Sequence, residues 1–269
     1  MIKNLLLFIL ILVLMAGCST ASSSFSNKAS QSGFKTIYLQ GLNYRHTVYK
    51  NNHNNNKGIL HVYLGGDGTP WFKGRYITQD PTPLKPVMLD LMKMDKMPSI
   101  YLGRPCYHQI KMPANCDNSL WTNKRYSLLV VNSMVAALNR YIQQHRITSI
   151  RLFGFSGGGT LAMLIAPHIA EVRTIVTLAG NLDTKAWILH HGYSPLIGSL
   201  NPATLPPLSV HIQQLHLLGK NDKNILASMI RPVVKQQYNA KFLELKQADH
   251  HCCWVKHWKK ILDGLGATS

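Results

Sequence analysis

Residues 147–153, ITSIRLF, run directly into Gly154-Phe155-Ser156-Gly157-Gly158, and a mostly apolar segment continues to residue 170. The first block is rich in apolar and β-branched residues and reads as a buried strand, while the last has the length and spacing of a helix. The five residues between them fit G-x-S-x-G. A strand that turns at once into a helix brings the two backbones close, so small residues must flank the turn, and the central hydroxyl stands exposed at its tip. Gly157 then opens the helix with an N–H that has no intrahelical acceptor and that lies at the positive end of the helix dipole.

The same alternation extends outward in both directions. Toward the C-terminus, the pattern predicts strands at 173–178, 215–218 and 241–245 and helices at 225–237 and 254–265, with a Pro/Gly-punctuated excursion over 180–208. Toward the N-terminus it predicts strands at 36–39, 44–49, 59–64 and 99–102, with helices at 83–97 and 128–145. Strands alternating with helices predict an α/β fold, a mostly parallel sheet covered on both faces. No repeat and no linker interrupts residues 34–269, which read as one domain.

A serine hydroxyl needs a base, and the base needs an orienting acid. Open α/β sheets build their sites at the carboxyl ends of the strands, and the chain has only nine Asp and two Glu to choose from. Gly219-Lys220-Asn221-Asp222 follows one predicted strand and Ala248-Asp249-His250-His251 the next. The base is therefore His250 or His251. Asp222 is the acid candidate, with Asp183 as its rival; Asp249 suits a loop cap. Gly65-Gly66-Asp67-Gly68, after the 59–64 strand, offers a second oxyanion donor, the N–H of Asp67 or alternatively of Gly66. The Asp67 carboxylate is expected to turn away and order the loop. No metal or cofactor is required.

The order Ser156, Asp222, His250 resembles the α/β-hydrolase fold serine hydrolases of esterase and lipase type. Related hydrolases carry Asp-His, one variable residue, then Cys-Cys-Trp; here Asp249 to Trp254 fits, which favours His250 as base. The resemblance also favours Asp222 as acid, since that residue usually follows the later strand. Gly65 replaces the histidine of the His-Gly-x-Gly loop in lipases and esterases. Gly103-Arg104-Pro105-Cys106, Trp121-Thr122, Arg125-Tyr126-Ser127 and Ser199-Leu200-Asn201-Pro202 belong to the same likeness. It implies a lid-like excursion over 180–208 without a full cap domain, where Trp187, Leu189 and Tyr193 either line an acyl pocket or pack. It implies cleavage of a carboxylic ester through an acyl-enzyme. A peptidase or thioesterase would use the same triad, and the competing class is a non-catalytic surface lipoprotein that keeps the fold for binding.

The N-terminus reads as an address. Lys3 precedes an apolar run over 5–14, too short to span a bilayer comfortably. Met15-Ala16-Gly17-Cys18 then resembles the lipobox of bacterial lipoproteins. That likeness implies removal of residues 1–17, acylation of Cys18 and anchoring in the cell envelope, with Ser19 pointing to the outer membrane. Residues 18–33, the lipidated cysteine and a Ser-rich stretch, are expected to form a flexible tether holding the domain about 20 Å from its anchor. The net charge of +18 invites a nucleic-acid reading, but the cations are scattered and no nucleic-acid motif is present. An anionic envelope surface is the more economical partner, and charge that merely aids solubility is the equal alternative. Of five cysteines, Cys106 and Cys116 suit a disulfide in an oxidising compartment, adjacent Cys252 and Cys253 cannot form a normal disulfide without strain, and cross-pairing between the two sets stays open.

Overall fold

The structure, a computed structural model, describes residues 20–54 and 57–266. The lipobox lies outside the described residues. Ten strands appear in chain order: β1 (Lys35–Gln40), β2 (Arg45–Lys50), β3 (Ile59–Leu64), β4 (Trp71–Phe72), β5 (Tyr76–Ile77), β6 (Ser99–Leu102), β7 (Ser149–Phe155), β8 (Val172–Leu178), β9 (Gln213–Gly219) and β10 (Ala240–Leu245). Eight form one sheet in the order β1-β2-β6-β3-β7-β8-β9-β10. From β6 to β10 the neighbours are parallel, and β1 and β2 are added antiparallel at one edge. The α/β fold with its mostly parallel sheet is as the alternation predicts.

The helices are α1 (Ala21–Gln31), α2 (Val87–Met92), α3 (Leu128–His145), α4 (Gly157–Ile165), α5 (Thr184–His191), α6 (Ala227–Gln236) and α7 (Trp254–Gly266). In β3 and β7 every residue after the first is buried, as a strand covered on both faces requires. One layer packs α3 against β1 and α4; in another, α2 contacts β3, β6 and α7. α4 is buried along its whole length, so the helix that follows Ser156 sits deep in the molecule and cannot shift without disturbing the core. The excursion after β8 holds only α5 and a short 3-10 turn at Pro202–Thr204, with no separate cap domain.

Two local expectations need correction, and one element is new. The Ser-rich segment is not a tether. Thr20 caps α1, its Oγ1 accepting from Ser23 N at 3.1 Å. Phe25 is buried among the rings of Tyr49, Tyr101 and His108, at centroid distances of 5.3, 5.2 and 4.3 Å. Ser22 and Ala29 are buried with it, a single stripe at helical spacing that a low average hydrophobicity conceals. The predicted helix over 83–97 forms only at Val87–Met92, because Pro83 and Pro86 supply no N–H and Pro86 sits at the cap. Residues 71–77, given no structure from sequence, form a hairpin whose turn holds Lys73 and Gly74 at φ 52 and 66.

Candidate active site

Ser156 stands between β7 and α4 with φ 52 and ψ −122. A non-glycine residue held at such a φ costs on the order of 1–3 kcal/mol and persists only where its surroundings over-determine it. Those surroundings are its glycines. A Cβ on Gly154 would meet Gly158 O at 2.4 Å, and one on Gly158 would meet Leu64 O at 2.2 Å. Ser156 N donates to Leu178 O at 2.9 Å, and Ser156 O accepts from Gly159 N and Asn181 N. Strand, helix and the ends of β3 and β8 thus close around one residue. The turn that the motif predicts is present in detail.

The acid and base loops meet through Gly219, whose added Cβ would lie 2.5 Å from Ala248 O; Asn221 N donates to that carbonyl at 3.1 Å. This close approach sets Asp222 beside His250. His250 Nδ1 lies 2.8 Å from Asp222 Oδ2. Asp222 Oδ1 accepts from Asn224 N and Ile225 N at 2.8 and 2.9 Å, so the carboxylate is held on both oxygens and its side chain is fully buried. Trp254 Nε1 donates to His250 O at 3.1 Å, fixing the loop to α7.

The rivals are placed elsewhere. Asp183 caps α5, accepting from Lys185 N and Ala186 N at 3.1 Å, and from Asn201 Nδ2 at 2.9 Å. His251 lies edge-on to His250 at 4.8 Å; burial, and then the neighbouring His250, hold its imidazole below the usual value. Asp249 accepts from His251 N and Cys252 N, the loop cap its position suggests. Cys252 and Cys253 are joined in the structure, as are Cys106 and Cys116, and Cys253 has φ 79.

Ser156, His250, Asp67 and Gly68 line one cleft of about 1590 Å³. Gly66 approaches Ser156 so closely that an added Cβ would lie 3.4 Å from the serine Cβ. The Asp67 carboxylate does not turn away from Gly157: a Cβ there would meet Asp67 Oδ1 at 1.9 Å. What removes its repulsion is charge. Arg104 Nη1 donates to Oδ1 at 2.8 Å, Arg125 Nη1 to Oδ2 at 2.9 Å, and Tyr126 Oη to the same carboxylate at 2.6 Å. Burial alone would raise the Asp67 carboxyl, but the two guanidinium charges and the tyrosine bond outweigh it and hold it at about 2. Tyr107 Oη donates to Asp67 O at 2.9 Å, and Arg104 Nη2 to Gly65 O. Gly65, where lipases and esterases carry histidine, faces the Tyr101 hydroxyl, which occupies the space a side chain would need.

Sequence reasoning missed Asn224. Its Nδ2 lies 3.1 Å from His250 Nε2, while its Oδ1 accepts from Trp187 Nε1 at 3.1 Å and its backbone carbonyl is met by His191 Nε2 at 2.8 Å. Indole N–H only donates, so Oδ1 faces Trp187 and Nδ2 faces the histidine, leaving Nε2 as an acceptor and the proton on Nδ1 toward Asp222. The lid helix is thereby linked to the imidazole. The Asp222-x-Asn224 spacing after a strand was the available signal. Of the three aromatic and aliphatic lid candidates, Trp187 and Tyr193 line the cleft, whereas Leu189 is solvent-exposed.

The chain is similar to known proteins. A model of the family described as Serine hydrolase (FSH1) matches residues 91–253, a span containing Ser156, Asp222 and His250 but not the Asp67 loop. A search of curated proteins finds no match. Among solved structures, a putative lipase from Acinetobacter baumannii AYE is similar at TM-score 0.63 and 13% identity, over 93% of this chain and 98% of that one. A membrane phospholipase A, a bacterial virulence factor, gives 0.62 and 15% over 99% of each chain. An alpha-beta serine hydrolase homologue from Coxiella burnetii gives 0.59 and 13% over 87% and 96%. At these identities the likeness concerns the fold. The family match spans well over half of the chain, and with it this protein belongs to the serine hydrolase (FSH1) family.

Proposed function

We propose that this serine hydrolase cleaves carboxylic esters of acyl or lipid-like substrates through an acyl-enzyme. Ser156 Oγ attacks the acyl carbon, and His250 Nε2 takes its proton and returns it to the leaving alcohol. Asp222, at 2.8 Å from Nδ1, fixes the tautomer and stabilises the imidazolium. The N–H groups of Gly157 and Asp67 receive the oxyanion, with Gly66 as the alternative second donor. Water, activated by the same imidazole, then releases the acid. As the proton moves, the Asn224 amide yields Nε2, which couples the chemistry to Trp187 in α5. The single observation that carries this reading is that His250, bonded through Nδ1 to the buried Asp222, lines the same cleft as a serine held at positive φ.

The ester preference rests on the cleft wall. Trp71, Ile77, Phe155, Trp187, Tyr193 and Leu196 give it an apolar face suited to an acyl chain. Nitrophenyl esters of increasing chain length test it: octanoyl is cleaved faster than acetyl, and Ser156→Ala loses both. Preference for acetyl, or faster cleavage of a peptide anilide, contradicts the reading.

The protein acts at the bacterial envelope, held by acyl chains on Cys18. Since α1 begins at Ala21, the anchor would lie close to the domain instead of a long tether away. Incorporation of labelled palmitate that survives Cys18→Ser would overturn this part alone.

A further inference from the structure

We propose that the β4–β5 hairpin is an interfacial docking element that seats the cleft mouth on an anionic lipid surface. Trp71, Phe72, Tyr76 and Ile77 are between 40% and 58% exposed, an unusual concentration of large apolar groups on a two-stranded unit with no core of its own. Trp71, Arg75 and Ile77 line the cleft that contains Ser156, so whatever covers the hairpin also faces the site.

Charge chooses the occupant. Residues 68–79 contain Lys73 and Arg75 and no acid. Lys73 Nζ lies over the Phe72 ring and the Arg75 guanidinium over Tyr76, at 5.4 and 5.8 Å, so cation and ring are presented together. The acids that bound the segment are engaged: Asp67 by Arg104 and Arg125, Asp80 by Ser22 N and Oγ. Lys85 and Lys223 add further cations to the cleft wall. Aromatic rings that settle at the headgroup level, beside cations that meet lipid phosphates, are the chemistry of a membrane interface. A protein partner would leave these cations needing acidic side chains; an anionic lipid surface supplies the charge everywhere.

The fold points the same way. Ser22, at the start of α1, is bonded to Asp80, three residues beyond β5. Cys18 is four residues earlier, at most about 14 Å of extended chain. An acyl group on Cys18, as proposed above, would therefore be tied within that reach of the hairpin exit. The docking surface does not depend on that acylation, nor on the ester chemistry.

The test uses residues 18–269 carrying Cys18→Ser, so that neither acylation nor the apolar run over 5–14 supplies binding. It is titrated with vesicles of phosphatidylcholine, or of equal parts phosphatidylcholine and phosphatidylglycerol, with bromine on the acyl chains to quench inserted tryptophan. Anionic vesicles quench emission, and Trp71→Phe removes the greater part of that quenching. Lys73→Gln with Arg75→Gln raises the lipid needed for half-quenching about twenty-fivefold, two cations at roughly fivefold each. Ser156→Ala behaves as the parent, which separates this surface from the reading of the active site. Full quenching retained by Trp71→Phe, equal quenching by the two vesicle types, or no rise in the lipid requirement of the neutralised pair each overturns the proposal.

Discussion

Replacing Asp67 by Asn keeps the shape and the backbone N–H of the loop while deleting one charge. In the native protein that carboxylate accepts from Arg104, Arg125 and Tyr126 at 2.6–2.9 Å, and the side chains of Arg104 and Arg125 are only 4% and 6% exposed. The substitution leaves two buried guanidiniums without their counter-charge. Breaking a buried pair by removing one partner costs about 3–5 kcal/mol. Linkage gives an independent lower figure. The Asp67 carboxyl titrates at about 2 in the folded protein against 3.8 as the reference, and a shift of that size corresponds to roughly 2 kcal/mol. Asn retains some of the hydrogen bonds, so a loss of about 3 kcal/mol is expected, read as a lower urea midpoint at unchanged slope. The folded value lies below the unfolded one. The stabilisation is therefore fully present above the unfolded value and is lost as pH falls through the folded one. Wild type and Asp67→Asn should accordingly differ near neutral pH and converge toward about pH 2. A loss below about 1 kcal/mol, or a gap that does not narrow in acid, would refute the account of this loop.

Three further outcomes follow from other parts of the molecule. Phe25→Ala should destabilise the protein by about 3–5 kcal/mol in urea, because Phe25 fills a pocket of three rings; a change within about 0.5 kcal/mol, as for a surface position, would restore the tether. Gly157→Ala places a methyl 1.9 Å from Asp67 Oδ1 and 2.4 Å from Tyr126 Oη, displacing the oxyanion loop, and should lower kcat by about a hundredfold or more; near-native kcat would contradict the placement of that loop. Opening Cys106–Cys116, ten residues apart, by paired Ser substitution should cost about 3 kcal/mol from the freedom regained by the unfolded chain, visible as a lower thermal midpoint.

How much of this was legible in the sequence depends on the range of the contacts involved. The Ser156 turn was legible because its cause is local: a strand, three glycines and a helix within twenty residues. Asp222 and His250 were legible as positions, since each follows a predicted strand, but choosing His250 over His251 needed a resemblance, and only side-chain geometry pairs it with Asp222. The convergence of Arg104, Arg125 and Tyr126 on Asp67 spans 37 to 59 residues and has no local signature. Nor does composition separate a working His–Asp pair from a structural one. His61 and Asp95 are also 2.6 Å apart, deep in the core with Tyr63 on the same oxygen, yet neither lines the cleft that holds Ser156. The α1 stripe was readable at spacings of three and four residues, and serine content obscured it.

The central claim is that Ser156 is the nucleophile, activated by His250. Its most direct measurement is labelling of the full chain with a fluorophosphonate, followed by mass spectrometry of the modified peptide. The account predicts one adduct on Ser156, absent in Ser156→Ala and slowed by orders of magnitude in His250→Ala but not in His251→Ala. Equal labelling of wild type and Ser156→Ala, or a rate that falls with His251 and not with His250, would contradict it.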